Sequence, residues 1–207
     1  MRTFVALVPP ADIAAHLAEI EQEIMRIDRS LRCEPAGKLH FTLEFLGEKT
    51  ESWIDACRAA LGPVVAAHAP FAVAFKGIGF FPGTARPRII WAGSAPEDNR
   101  ELCALASAVR QACAAIGHVP DAKPFHPHIT LSRVKSFIQP EKIQRIQAID
   151  VKPLEFECRE IVLMKSTLGA GGSKYERLFA VKLGEAVNDP RASVVVSASP
   201  HMKRILH

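Results

Sequence analysis

The stretch PFHPHITLSR, residues 124–133, contains His128-Ile129-Thr130-Leu131, and KLHFTLEFLG, residues 38–47, contains His40-Phe41-Thr42-Leu43. In both, polar and apolar residues alternate. Residues i and i+2 share a face of a β-strand. The pattern therefore predicts two strands, each with its imidazole and hydroxyl on one face and two apolar side chains on the other. Core packing gives no reason to write histidine at the same offset twice. The repeat points to a shared site between two similar pieces of structure.

Working outward, RTFVALV at 2–8 reads as a buried strand ended by Pro9-Pro10. Apolar residues from Ile13 to Leu31 recur at helical spacing. The first His-x-Thr strand spans 38–46. A second helix is expected from Ser52 to about His68, strands at 70–79 and 88–92, and between them the loop FFPGTARP. Ser94 and Glu97 have the spacing of a capping box and predict a helix to about Ile116, ended by Gly117. Pro140 starts a short helix to Ile149. Strands follow at 154–164 and 175–183, joined by a loop at 166–176. Each half of the chain thus carries two helices and one His-x-Thr strand, which suggests an α+β fold of two lobes with facing sheets. Residues 186–207 have no place in this pattern. They are expected to be disordered, with SVVV as a candidate edge strand.

The 207 residues suit one domain of two lobes, here 1–185, and 48% hydrophobic residues supply a core. A net charge of +4 is compatible with a nucleic-acid partner without requiring one. Five cysteines, an odd number with no C-x-x-C, argue against a disulfide framework or zinc ribbon and for reduced thiols in a cytoplasm. No apolar run is long enough to span a membrane.

An imidazole pair can divide acid–base work near neutral pH, one ring neutral as base and one charged as acid. Two threonine hydroxyls can donate to anionic oxygens. A phosphodiester fits such a cleft: it needs a base for the attacking oxygen and an acid for the leaving oxygen. No metal is needed if the leaving group is protonated as it departs. His126-Pro127-His128 offers a zinc alternative, but zinc takes three or four ligands and the local sequence supplies no third. His16, His68 and His118 read as helix-surface or loop residues.

These residues resemble a known family, the RNA 2',3'-cyclic phosphodiesterases, also called 2'-5' RNA ligases or LigT-like proteins, of the 2H phosphoesterase superfamily. HFTL and HITL match its two signature motifs. RTFVALVPP, FFPGTARPRIIWAG and IVLMKSTLGAGGSKYERL resemble its opening strand, its middle strand pair and its closing Gly-rich segment. The resemblance implies a bilobal fold with two antiparallel sheets facing a central cleft and helices outside. It implies hydrolysis of a terminal 2',3'-cyclic phosphate on RNA to a 2'-phosphate, with no cofactor and no metal. Carried onto matching positions, His40 is the proton donor, His128 the proton acceptor, and Thr42 and Thr130 hold the non-bridging oxygens.

Arg133 matches a basic position of the family, although regular alternation puts it on the wrong face unless a bulge intervenes. Tyr175 and Phe125 are candidates for packing a substrate base, and Gly169, Gly171 and Gly172 for a backbone bend near phosphate. Ser132 stands where many members carry alanine and should point away from the site. The expected partner is an RNA end or nucleotide bearing the cyclic phosphate, not DNA, which lacks the 2'-oxygen. A monomer is expected, since each lobe caps the other. The alternatives are 2'-5' ligation, cleavage of 2'-5' oligonucleotides or small cyclic nucleotides, and a non-catalytic RNA-end-binding module.

Overall fold

A computed structural model describes residues 1–152, 154–169 and 172–185; the tail for which disorder was expected, and Gly171, lie outside the described residues. The strands are β1 (Arg2–Leu7), β2 (Arg32–Cys33), β3 (Phe41–Glu48), β4 (Phe71–Phe75), β5 (Gly77–Phe81), β6 (Ile89–Gly93), β7 (His128–Arg133), β8 (Leu154–Cys158), β9 (Glu160–Gly169) and β10 (Gly172–Lys182). The helices are α1 (Ala11–Ile27), α2 (Glu51–Ala66), α3 (Arg100–Ala115) and α4 (Pro140–Gln147).

Strands β10-β9-β1-β3-β7-β6-β5 run side by side, β2 pairs with β7, and β4 and β8 form a separate two-stranded sheet. All pairings are antiparallel. The two His-x-Thr strands, β3 and β7, touch through one register pair, Phe41 with Ile129. The sheet is therefore two lobes joined at the motifs themselves: β10-β9-β1-β3 on one side and β7-β6-β5 with β2 on the other. One hydrophobic cluster runs through both, from Val5 to Leu183.

The lobes are not the two halves of the sequence. β1 and β3 are completed by the C-terminal β9 and β10, while β7 is completed by β5 and β6 from before the midpoint. The helices cross over too. α1 packs on α4, β2 and β7, and α3 packs on α2 and β3. Periodicity locates elements but not their partners, because antiparallel pairing joins strands distant in sequence.

Local differences have local causes. α1 stops at Ile27 because the Asp28 carboxylate takes the Ser30 backbone N–H at 3.0 Å and its hydroxyl at 2.7 Å, closing a turn. Leu31 stays buried beyond the helix. The expected strand 70–79 is broken at Lys76, where the chain passes from the small sheet into the large one. The strand expected at 154–164 divides likewise at Arg159. Residues 166–169 and 172–176, expected as loop, extend a hairpin that pairs from Gly172–Gly169 to Lys182–Glu160, with one register shift between Arg177 and Phe179.

Ser94 does not cap a helix. Its hydroxyl donates to the Ala74 carbonyl at 2.8 Å, and α3 begins only at Arg100, after a 3₁₀ turn over 96–99. Asn99 explains the difference. Its Oδ1 accepts from the Ala74 N–H at 2.9 Å, and its Nδ2 donates to the Ala74 carbonyl at 3.0 Å and to Ser94 Oγ at 2.6 Å. Buried Ser94 and Asn99 thus fasten the start of α3 to the edge of β4. Asn99→Ala leaves a buried N–H without its partner and is expected to destabilise the protein by about 1–3 kcal/mol. A lowered urea midpoint at unchanged m-value would show it, and a midpoint equal to wild type would refute it.

All five cysteines are free thiols. Among the described residues no helix is long and apolar enough to cross a membrane.

Candidate active site

His40, Thr42, His128 and Thr130 all line one cleft of about 390 Å³ between the lobes. Each imidazole is held the same way. His40 Nδ1 lies 2.6 Å from the Lys38 carbonyl, and His128 Nδ1 lies 2.8 Å from the His126 carbonyl. A carbonyl oxygen only accepts, so Nδ1 of each ring carries a proton, and Nε2 is left as the atom that gives or takes one. Each bond reaches back two residues, a second repeat inside the first.

Aromatic rings flank both histidines. Phe4 and Tyr175 stand 4.9 and 5.3 Å from the His40 ring, and Phe81 and Trp91 stand 4.9 and 6.2 Å from the His128 ring. Burial among them lowers the His40 pKa below its ordinary value; the Lys38 carbonyl and the Glu34 carboxylate oppose the shift, and Arg133 adds to it. His128 is also lowered, first by burial; the His126 carbonyl opposes the shift, and charge on His126 and His40 adds to it. The Tyr175 pKa is raised, again first by burial, so its phenol stays neutral well above pH 7.

The placement of Arg133 follows from a bulge. β6 and β7 shift register between Ile90–Ser132 and Trp91–Thr130, which leaves Leu131 as the extra residue. Leu131 and Ser132 are both buried, and Arg133 turns back to the cleft face, where it ion-pairs with Glu34 at 3.3 Å. Ser132 points away as expected and donates to the Arg32 carbonyl at 3.0 Å, tying β2 to β7. Gly93 pairs with His128, and only glycine fits there, since a Cβ would sit 2.3 Å from the Pro127 carbonyl oxygen.

The other candidates divide. Tyr175 lines the cleft; Phe125 does not, and packs partly buried against the hydrophobic core. Gly169 and Gly172 pair at the far end of the β9–β10 hairpin and are not in the cleft wall, which that hairpin lines instead with Ser166 and Ser173. The His126 ring packs 4.8 Å from Trp91 with its Nδ1 buried and unpartnered. Among the described residues no group of three or more His, Cys, Asp or Glu is placed to hold a metal ion.

A family model described as the 2'-5' RNA ligase superfamily matches residues 9–170. The chain belongs to this superfamily. The RNA 2',3'-cyclic phosphodiesterase of Aquifex aeolicus is 31% identical over 84% of this chain and 93% of its own. That of Archaeoglobus fulgidus is 32% identical over 86% and 98%. Among solved structures, one from Thermus thermophilus superposes with a TM-score of 0.72 at 30% identity, covering 89% of this chain and 98% of that one. Escherichia coli LigT complexed with 3'-AMP superposes at 0.71 with 27% identity over the same shares.

Several cleft residues of this superfamily member carry no sequence signal of their own. Arg2, Glu34 and Lys38 reach the cleft because β1 and the segment before β3 border it, and Phe45 reaches it from β3 itself. His118, read as a loop residue, is buried. Its Nε2 meets Glu44 Oε1 at 3.0 Å, while Arg110 Nε donates to Glu44 Oε2 at 3.0 Å. This network braces the back of the first motif. A charge at Glu44 inside HFTLE is the trace it leaves in the sequence.

Proposed function

We propose that the protein hydrolyses the terminal 2',3'-cyclic phosphate of RNA to a 2'-phosphate, with His40 as proton donor and His128 as proton acceptor. The observation that carries this reading is the matched pair of imidazoles in one cleft, each with Nδ1 tied to the carbonyl two residues before it. His128 Nε2 takes a proton from water as its oxygen attacks phosphorus. His40 Nε2 gives a proton to the 3'-oxygen as the P–O3' bond breaks. Thr42 and Thr130 hydroxyls donate to the non-bridging oxygens, and Arg133 offsets their charge.

Electrostatics favour this division of labour. Glu34 supports a proton on His40, whereas His126 and His40 both act against one on His128. The relatives named as RNA 2',3'-cyclic phosphodiesterases, and LigT solved with 3'-AMP and with phosphate, support the substrate class. With the leaving oxygen protonated by His40, the step needs no Lewis acid. One chain of residues 1–185 supplies every group in the scheme.

The test is a short RNA ending in a 2',3'-cyclic phosphate, incubated in excess EDTA. Turnover to a product that resists a 3'-specific phosphatase is expected. Turnover lost in EDTA and restored by a divalent ion would replace this mechanism with a metal-assisted one. A 3'-phosphate product would reverse the leaving group.

A further inference from the structure

We propose that Arg2, Ser166, Ser173 and Tyr175 form a second anion subsite, which takes the internucleotide phosphate on the 5' side of the terminal ribose. The subsite rests on the phosphodiesterase reading above and selects an RNA strand over a lone cyclic nucleotide.

The mechanism leaves these four residues without a task, yet all four line the cleft. They come from three neighbouring strands of the His40 lobe. Tyr175 of β10 pairs with Ser166 of β9, and Ser173 shares the Tyr175 face two residues back. Lys165 of β9 pairs with Thr3 of β1, and the same register one residue on sets Arg2 opposite Ser166. Cross-strand partners share a face. Arg2, Ser166 and Tyr175 therefore make one row across the sheet, with Ser173 beside it.

Every member of the row can donate a hydrogen bond: a guanidinium only donates, and a hydroxyl can. Among the described residues no acid interrupts it. Glu48, opposite Arg2 on β3, meets the Met1 amine at 3.1 Å. Glu34, the one acid lining the cleft among the described residues, pairs with Arg133 at 3.3 Å. The Tyr175 pKa is raised first by burial and then by Glu34, while Arg133, Ser173 and Arg2 oppose the rise, so Ser173 and Arg2 both act on its hydroxyl. A neutral phenol keeps its proton to donate, and a guanidinium can hold two oxygens of one phosphate.

The row also stands one step from the chemistry. The Phe4 and Tyr175 rings lie 4.9 and 5.3 Å from that of His40. Two residues of strand separate Arg2 from Phe4, about 7 Å toward the strand end. In-line attack brings water to phosphorus from the His128 side as the P–O3' bond breaks at His40. The ribose hangs from the leaving oxygen, so it lies on the His40 lobe. One sugar–phosphate unit then carries the chain from the cyclic phosphate to the row. Arg133, on the opposite lobe, is left for the scissile phosphate.

The experiment uses uridylyl-adenosine 2',3'-cyclic phosphate with its internucleotide linkage either a phosphodiester or an uncharged methylphosphonate. Wild type is expected to favour the charged linkage about tenfold in kcat/KM, Arg2→Ala to lose that preference to within about twofold, and Arg2→Lys to keep part of it. No preference in wild type, or one unchanged in Arg2→Ala, would overturn the subsite. Arg86→Ala removes an exposed cation outside the cleft lining and should keep the preference. An equal loss there would make the effect one of overall charge and sink the row. Adenosine 2',3'-cyclic phosphate with and without a 5'-phosphate separates the sources of the anion. A gain from that monoester, with none from the dinucleotide linkage, would give the row to a mononucleotide and remove the RNA strand. Calorimetry with the 2'-phosphates of the two dinucleotides reads the subsite without turnover. If wild type binds the charged one about tenfold tighter and Arg2→Ala does not, the subsite stands even where wild type cleaves neither substrate, and that failure falls on the phosphodiesterase reading alone. Equal affinity of wild type for the two dinucleotides sinks the subsite.

Discussion

Replacing either His40 or His128 by alanine is expected to lower kcat on an RNA 2',3'-cyclic phosphate by about 10²–10⁴-fold, the worth of one positioned proton transfer. The double variant is expected to be little worse than the poorer single one. In the proposed mechanism acid and base act in one step, and with either missing the other has nothing to complete. The fold should tolerate the changes. Each ring is only partly buried, and its Nδ1 bond goes to a carbonyl just before the strand, Lys38 or His126, not to a core strand. Thermal unfolding within a few degrees of wild type checks this. Near-wild-type kcat in either variant would make that histidine structural and break the pair. KM should move less than kcat, since Thr42, Thr130 and Arg133, the proposed phosphate contacts, still line the cleft.

The pairing of His40 with Thr42, and of His128 with Thr130, was legible because alternation is strictly local. Arg133 shows the boundary of that logic. Alternation alone sends it to the wrong face, and the bulge at Leu131 returns it. Its twin at Leu43, which brings Phe45 to the rim, left no mark in the sequence that alternation could use. A bulge is set by how two strands meet, so one strand's pattern cannot announce it. The exchange of helices and strands between the lobes was hidden for the same reason. Phe125 illustrates a second limit: adjacency to a motif says nothing about direction, and its ring packs into the core while Tyr175, fifty residues on, lies against His40. The capping spacing at Ser94 misled because the hydroxyl oxygen a cap would use accepts from Asn99 Nδ2 instead, while the hydroxyl proton goes to the Ala74 carbonyl.

The second large effect is on pH. kcat/KM is expected to trace a bell with its maximum below about pH 6.5, the ordinary imidazole value. The reason lies in the direction of the shifts. Burial lowers both His40 and His128, and charge on His40 lowers His128 further. In the free enzyme the pair titrates with two macroscopic constants that belong to both rings. Below the lower constant both rings are charged and no base remains; above the upper, both are neutral and no acid remains. Each limb falls tenfold per pH unit, so above the upper constant kcat/KM should drop by about tenfold for each further unit of pH. Bound phosphodiester is an anion and stabilises the imidazolium, so the alkaline limb of kcat should lie at higher pH than that of kcat/KM.

Two neighbours sharpen the test. Glu34 helps hold the His40 proton, so Glu34→Gln is expected to move the alkaline limb to lower pH. Glu21, buried and beside Glu34, has its pKa pushed up to about 8, first by burial and then by the Glu34 charge. It is neutral across the rising limb and ionises only beyond the optimum. Because this carboxyl is neutral where the lowered imidazoles titrate, Glu21→Gln should leave the midpoint of the alkaline limb in place, which separates the imidazole from the carboxyl. Stability runs with the same signs. Imidazoles with lowered folded pKa values support the fold above the unfolded value of about 6.5, and that support fades as pH falls through the folded values. The acid limb must therefore be read alongside circular dichroism, to separate loss of base from loss of fold. A flat profile from pH 5 to 9, with the protein folded throughout, would remove the two-imidazole mechanism.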